Sequence, residues 1–269
     1  MQIFAGIMIP FLGTTLGAFL VFFLTKELNE RLEQSMMGFA AGVMAAASVW
    51  SLLIPAMELE AHMGKLSFLP AAAGFVLGMV FLAGTDWVVR KIDVQDSEAG
   101  NVLPNVTATN KADENKSQRN KLMVLAVTIH NIPEGLSVGA AFAGLLGAGS
   151  AITAVSAFAL ALGIGVQNIP EGFIVAMPFR NMGMSRRRSF LYGTLSGAVE
   201  PAAAVLMILL TAWLSPLLPW LLAFSAGAMF YVMIEELIPE AMKDRTYHCG
   251  TAGFCAGFLI MMILDVALG

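Results

Sequence analysis

His130-Asn131-Ile132-Pro133-Glu134-Gly135 and Gln167-Asn168-Ile169-Pro170-Glu171-Gly172 are two copies of one polar phrase, each set inside an apolar run. Each copy joins an imidazole or amide, a second amide, a proline and a carboxylate. Ionisable groups at membrane depth are costly and mark ion or proton pathways. Whether the surrounding runs cross a membrane therefore decides how the chain is read.

The composition points to a bilayer. Hydrophobic residues make up 58% of the 269, charged residues 13%, and the mean hydropathy is +0.76. A soluble domain carries about 25% charged residues. Apolar runs fall at 3–25, 36–57, 68–89, 122–146, 150–178, 189–213, 217–241 and 250–268. Each is near the roughly 20 residues that span a bilayer as a helix. Eight transmembrane helices are expected, an all-α polytopic fold. With the N-terminus outside, the cytoplasmic segments hold 14 of the 15 Lys and Arg, and only Lys65 stays outside. That positive-inside bias supports eight crossings with both termini outside. The polar stretch 92–120 is expected to be a mobile cytoplasmic loop.

The first three runs resemble the last three. Gly13-Thr14-Thr15-Leu16-Gly17-Ala18 answers Gly193-Thr194-Leu195-Ser196-Gly197-Ala198. Phe39-Ala40-Ala41-Gly42-Val43-Met44 answers Phe224-Ser225-Ala226-Gly227-Ala228-Met229, and Leu53-Ile54-Pro55 answers Leu237-Ile238-Pro239. Ala73-Gly74-Phe75 answers Ala252-Gly253-Phe254, and Asp86 answers Asp265, with every offset between 179 and 185. Partners five spans apart cross in opposite directions, which is an inverted-topology repeat, common in secondary transporters. The expected organisation is one transmembrane domain over 1–269 in a 3+2+3 arrangement. Residues 1–91 form the first repeat, 92–120 the loop, 121–178 the central helix pair and 187–269 the second repeat.

Helical rise places the phrases near the midplane. His130 lies nine residues past Lys121, about 14 Å at ~1.5 Å per residue. His130 and Glu134 are four apart and share a helix face, as do Gln167 and Glu171. Asn131 and Asn168 turn to a neighbouring face. Pro133 and Pro170 free backbone carbonyls beside them. Glu200 in the sixth run reaches a similar depth. No Lys or Arg lies there to neutralise these glutamates, so protonation or a bound cation must. One histidine with carboxylates and amide oxygens suits a divalent first-row metal. Each residue also has a packing alternative: an inert interface histidine, amides that join helices, prolines that only kink. Toward the ends lie Glu58 and Asp265 on the outer side, and Asp86, Glu235, Glu236 and Glu240 on the inner side.

At these residues the chain resembles the ZIP (Zrt/Irt-like) family of divalent metal transporters, in its compact prokaryotic GufA-like branch. The resemblance implies a central binuclear metal site at His130, Asn131, Glu134, Gln167, Asn168, Glu171 and Glu200, with Met44 as a further lining residue. It implies an entrance at Ser51, Glu58 and Asp265 and an exit at Asp86, Glu235 and Glu236, with Glu240 beyond them. It further implies a homodimer, an elevator-like movement of one helix bundle against another, and metal flow toward the cytoplasm. Many members carry histidine where this chain has Gln167, and close relatives carry aspartate where it has Asn168. Both changes soften the preference of that half for a borderline metal.

The expected function is therefore divalent metal uptake across the cell membrane. Zn²⁺ leads, with Fe²⁺, Mn²⁺, Co²⁺ and Cd²⁺ as further substrates. The metal is cargo and no cofactor is expected. The expected partners are metal ions, the lipid bilayer and a second copy, with no nucleic acid. Two rivals stay open. An intramembrane metalloenzyme would use the central residues for hydrolysis, but His-Glu-x-x-His and Glu-x-x-His are both absent. A proton-coupled carrier of another solute would use the glutamates as proton sites.

Overall fold

The computed structural model describes residues 2–23, 29–99, 128–129, 131–146, 152–181, 183–213, 215–243 and 247–268. Helices and turns account for nearly all of them, and no strand occurs among the described residues. In chain order, α1 is Gln2–Phe19, α2 Glu30–Ala47, α3 Ile54–Leu59 and α4 Phe68–Ala99. Residues 131–144 form α5. Then come α6 Ala154–Asn181, α7 Arg186–Gly197, α8 Val199–Trp213, α9 Leu218–Val232, α10 Ile238–Ala241 and α11 Cys249–Leu268.

The helix starts follow local chemistry. Asn29 caps α2 by accepting from the Arg31 amide at 3.1 Å, and Glu30 and Glu33 lie in the first turn. Ser185 caps α7 by accepting from the Arg188 amide at 3.4 Å. Seven segments are long and apolar enough to cross a membrane: Gln2–Phe22, Glu30–Leu59, Phe68–Val88, Ala154–Arg180, Arg186–Trp213, Leu218–Ala241 and Cys249–Ala267. They coincide with seven of the eight apolar runs. The eighth run, 122–146, is described only at 128–129 and from 131 on, so the count of eight rests on the sequence. Two boundaries differ from expectation. Helix α4 continues through Ala99, so 92–99 extend the third helix where polar composition suggested loop, while 100–120 lie outside the described residues. The sixth run is also broken at Ala198 into α7 and α8. Pro201 has no N–H to offer the Gly197 carbonyl, and the helix parts there.

Two further helices are distorted in matching places. Ser48–Leu53 and Met233–Leu237 are π-helical turns, closed by Ile54 N–H to Val49 O and by Ile238 N–H to Met233 O. Pro55 and Pro239 follow each of these isoleucines. A proline cannot donate to the carbonyl four residues back, here Ser51 and Glu235, and the widened turn absorbs the missing bond.

Packing gathers the helices into two groups, which meet where α6 packs on α2 and α11. In one, α2 lies along α11 and α4 along α9. In the other, α1 lies against α6, α7 and α8, and α5 meets α8 at Gly135 and Gly139. Glycine makes the approaches in the first group close enough for backbones to touch, the device that packs helices in lipid. A Cβ on Gly42 would run into the Phe254 carbonyl, and one on Gly227 into the Phe75 carbonyl. Gly257 stands likewise against Phe39, and Gly78 against Phe224. These four approaches are two pairs exchanged by the same offsets that relate the sequence halves.

Gly42→Val and Gly227→Val therefore overpack a backbone contact, at about 1–3 kcal/mol or more each. Both are expected to lower the thermal unfolding midpoint of the detergent-solubilised protein. Gly84→Ala, where a Cβ meets nothing within 4 Å, is expected to leave it unchanged. Equal midpoints for all three would refute the close-packing account.

Candidate metal centre

The two phrases meet. Glu134 comes from α5, Gln167, Asn168 and Glu171 from α6, and Glu200 from the first turn of α8. Asn131, Glu134, Gln167, Asn168 and Glu200 are 0% exposed and Glu171 is 5% exposed, so the cluster lies wholly inside the helix group. Glu134 lies within electrostatic reach of both Glu171 and Glu200, with Asn168 beside it.

The last glycine of each phrase lets the next element in. A Cβ on Gly135 would stand 2.8 Å from Glu200 Cα, and a Cβ on Gly172 would run into the Thr14 carbonyl. Pro133 and Pro170 lie within α5 and α6 beside these glycines, and Pro201 follows Glu200 at the start of α8.

Hydrogen bonds bind the pieces to one another. Gln167 Nε2 donates to Glu134 Oε1 at 2.6 Å, joining the two copies directly. Asn131 Nδ2 donates to Glu200 Oε1 and to the Ser196 carbonyl, both at 3.2 Å. Thr14 Oγ1 donates to Glu200 Oε1 at 2.8 Å, and Asn168 Nδ2 to the Pro10 carbonyl at 3.5 Å. Every amide in the set thus spends its N–H₂ on a neighbour and keeps its oxygen. Asn131 Oδ1, Glu134 Oε2, Gln167 Oε1, Asn168 Oδ1 and Glu200 Oε2 are buried with no donor in hydrogen-bond geometry, although the Asn168 amide stands near both the Glu134 and the Glu200 carboxyl. A buried acceptor left so costs about 1–3 kcal/mol. Five in one cluster, two of them on carboxylates, make an environment that a cation relieves.

Among the described residues no three His, Cys, Asp or Glu side chains converge closely enough to hold an ion by themselves. His130 lies outside the described residues, so its place relative to these oxygens is not part of the geometry above. Met44 is buried in the main core on α2. Thr14 and the Pro10 carbonyl were missed in the sequence, because a threonine in an apolar helix reads as helix-to-helix packing. The available signal was the match of Gly13-Thr14 with Gly193-Thr194, six residues before Glu200.

The remaining residues are brought together only in part. Ser51 donates to Asp265 Oδ1 at 2.5 Å, and both line a cavity of about 240 Å³ with Glu58, Ala141 and Ser156. That cavity lies between the two helix groups, since α5 and α6 supply its far wall. Asp86 takes a hydrogen bond from the Tyr231 hydroxyl at 3.2 Å. Glu235 and Glu236 are exposed in the second π turn. Glu240 pairs with Lys243 at 3.0 Å, and that hydrogen-bonded carboxylate holds the Lys243 ammonium above the usual lysine range.

A sequence model described as ZIP Zinc transporter matches residues 95–265. The chain belongs to the ZIP family. It is 37% identical to zinc transporter GufA of Myxococcus xanthus over 260 residues, covering 96% of this chain and 95% of that one. It is 37% identical to zinc transporter ZIP11 of Bos taurus over 323 aligned residues, covering 95% and 94%. Zinc transporter ZupT of Akkermansia muciniphila is 33% identical over 260 residues, covering 94% and 92%. This ZIP-family chain, with its seven apolar helices, is a multi-pass protein of the cell membrane.

If the donor-free oxygens hold a cation, Zn²⁺ at 100 times its Kd should stabilise the purified protein by about 2.7 kcal/mol through mass action. Thermal unfolding in detergent with and without Zn²⁺ measures this. The Glu134→Ala, Glu171→Ala double variant is expected to fold and to lose the shift; a retained shift would place the cation elsewhere.

Proposed function

We propose that this protein transports divalent transition-metal ions into the cytoplasm, Zn²⁺ foremost, with Fe²⁺, Mn²⁺, Co²⁺ and Cd²⁺ as further substrates. The observation that carries the reading is the buried cluster of five donor-free oxygens where the two polar phrases meet. Relatives named zinc transporters along nearly the whole chain support the choice of metal. His130, Asn131, Glu134, Gln167, Asn168, Glu171 and Glu200 form the ligand set, the imidazole adding the nitrogen that a borderline metal favours. Met44 is a further lining residue. The metal is cargo, and the protein is a carrier with no enzymatic step and no cofactor.

The path runs from the cavity at Ser51, Glu58 and Asp265 to the acids at Asp86, Glu235, Glu236 and Glu240. The basic-residue asymmetry supports an orientation with the cavity outside. An inside-negative potential of 100 mV favours entry of a divalent ion by about 4.6 kcal/mol, from roughly 2.3 per charge.

An elevator-like mechanism fits the packing. Every described member of the ligand set except the lining residue Met44, on α2, lies in the group of α1, α5, α6, α7 and α8, so a rigid movement of that group would carry those ligands together past α2, α4, α9 and α11. The exchange-related glycine contacts and the two proline-linked π turns support an eight-helix 3+2+3 inverted repeat. The same symmetry supports a first repeat at 1–91, a central pair at 121–178 and a second repeat at 187–269. The protein works as a homodimer in this reading.

The test is metal uptake into liposomes holding the purified protein. Zn²⁺ should accumulate along an inside-negative potential, and the Glu134→Ala, Glu171→Ala variant should lose the flux while eluting as a folded species. Unchanged flux in the variant would refute the site. Solute transport that survives metal chelation would favour a different cargo.

A further inference from the structure

Helix α1 carries no ionisable side chain, yet it touches the central cluster at Glu200 through Thr14 and at Asn168 through the Pro10 carbonyl. Thr14 Oγ1 reaches Glu200 Oε1 at 2.8 Å and the Pro10 carbonyl at 3.4 Å. A hydroxyl has one proton, and it goes to the carboxylate, where the bond is shorter and charge-assisted. Asn131 Nδ2 lies on the same Oε1 at 3.2 Å. Two donors thus occupy one oxygen of Glu200, while Oε2 has no donor in hydrogen-bond geometry, the Asn168 amide being the other polar group near the carboxyl.

Thr14 is also held in place. It is 0% exposed. A Cβ on Gly172, the residue after Glu171, would run into its carbonyl, and a Cβ on Gly197 would stand 2.7–2.8 Å from its side chain. The threonine is wedged between the end of the second phrase and the helix break before Glu200. Its hydroxyl is therefore fixed relative to both halves of the cluster.

We propose that Thr14 is a positioning residue that sets metal preference: it occupies Glu200 Oε1 and presents Oε2 alone to the ion. The inference rests on the reading of the cluster as a metal site. A carboxylate with one oxygen taken up binds through the other, which suits a small ion with few ligands such as Zn²⁺. A larger cation with more ligand positions gains from carboxylates free to bind through both oxygens, as Ca²⁺ does. Cd²⁺ is the larger probe of the same class. Removing the hydroxyl takes the shorter of the two bonds from Oε1 and leaves it to Asn131 alone at 3.2 Å, which weakens Zn²⁺ and favours Cd²⁺.

Zn²⁺ and Cd²⁺ affinities and the uptake ratio of the two ions are measured on the full-length protein as wild type, Thr14→Val, Thr14→Ser and Glu200→Ala. Thr14→Val keeps the shape and loses the donor; Thr14→Ser keeps the donor and loses a methyl group. The Zn²⁺ Kd is expected to rise about 10-fold or more in Thr14→Val, the scale of a lost ligand-orienting bond. The Zn²⁺/Cd²⁺ ratio should fall with it, and Thr14→Ser should stay near wild type. A purely packing role gives the opposite order, with Thr14→Ser impaired and Thr14→Val normal, and that result would overturn the proposal. If Thr14→Val does not fold, Thr14→Ala against Thr14→Ser isolates the hydroxyl, and equal affinities overturn it. Wild type without Zn²⁺ binding, or Glu200→Ala with unchanged binding, would instead sink the metal-site reading. Zn²⁺ binding in wild type that is lost in Glu200→Ala but unchanged in Thr14→Val would sink this inference alone.

Discussion

Burying carboxylates among apolar helices is the constraint on which the rest of this molecule depends. Glu134 and Glu200 lie at 0% exposure with one oxygen each free of described donors. Such groups are tolerated only where something offsets their desolvation. Here the neighbouring amides do part of it: Gln167 bonds Glu134, and Asn131 and Thr14 bond Glu200. Each amide that donates leaves its own oxygen bare. The compensation is incomplete by construction, and protonation or a bound cation is what would complete it.

The backbone is shaped to reach that arrangement. Prolines recur beside the polar residues, in the two phrases, after Glu200, and after the π turns that hold Ser51 and Glu235. Each removes a helical bond and loosens the chain where a side chain must be re-aimed. Glycines do the complementary work. Gly135 and Gly172 bring α8 and α1 to backbone contact beside the carboxylates, while Gly42, Gly78, Gly227 and Gly257 bind the other helix group together. The ligand-bearing helices and the surrounding helices are each tight within themselves. The Ser51–Asp265 cavity opens along the seam between them.

Much of this was legible in the chain. The apolar runs coincide with the seven described spans because a 20-residue hydrophobic stretch has few other stable forms. Asn131, Glu134, Gln167, Asn168, Glu171 and Glu200 come together as the repeated phrase suggested, because polar groups at that depth have only one another to face. Less was legible at the ends and at the neutral residues. Polar composition concealed the extension of α4 to Ala99, since a helix leaving the bilayer needs no apolar face. Thr14 carried no charge to mark it, and Tyr231 at Asp86 reads as an ordinary aromatic.

The sequence by itself determined the membrane setting, the family and the identity of the polar cluster, because hydrophobicity and the cost of buried charge act residue by residue. Only the tertiary structure decided how that cluster is held. Which amide hydrogen meets which carboxylate oxygen depends on the crossing of α1, α5, α6 and α8, and those crossings depend on backbone contacts at single glycines. No local pattern encodes the meeting of Thr14 with Glu200, 186 residues apart. It exists because Gly172 and Gly197 leave room for one helix between two others.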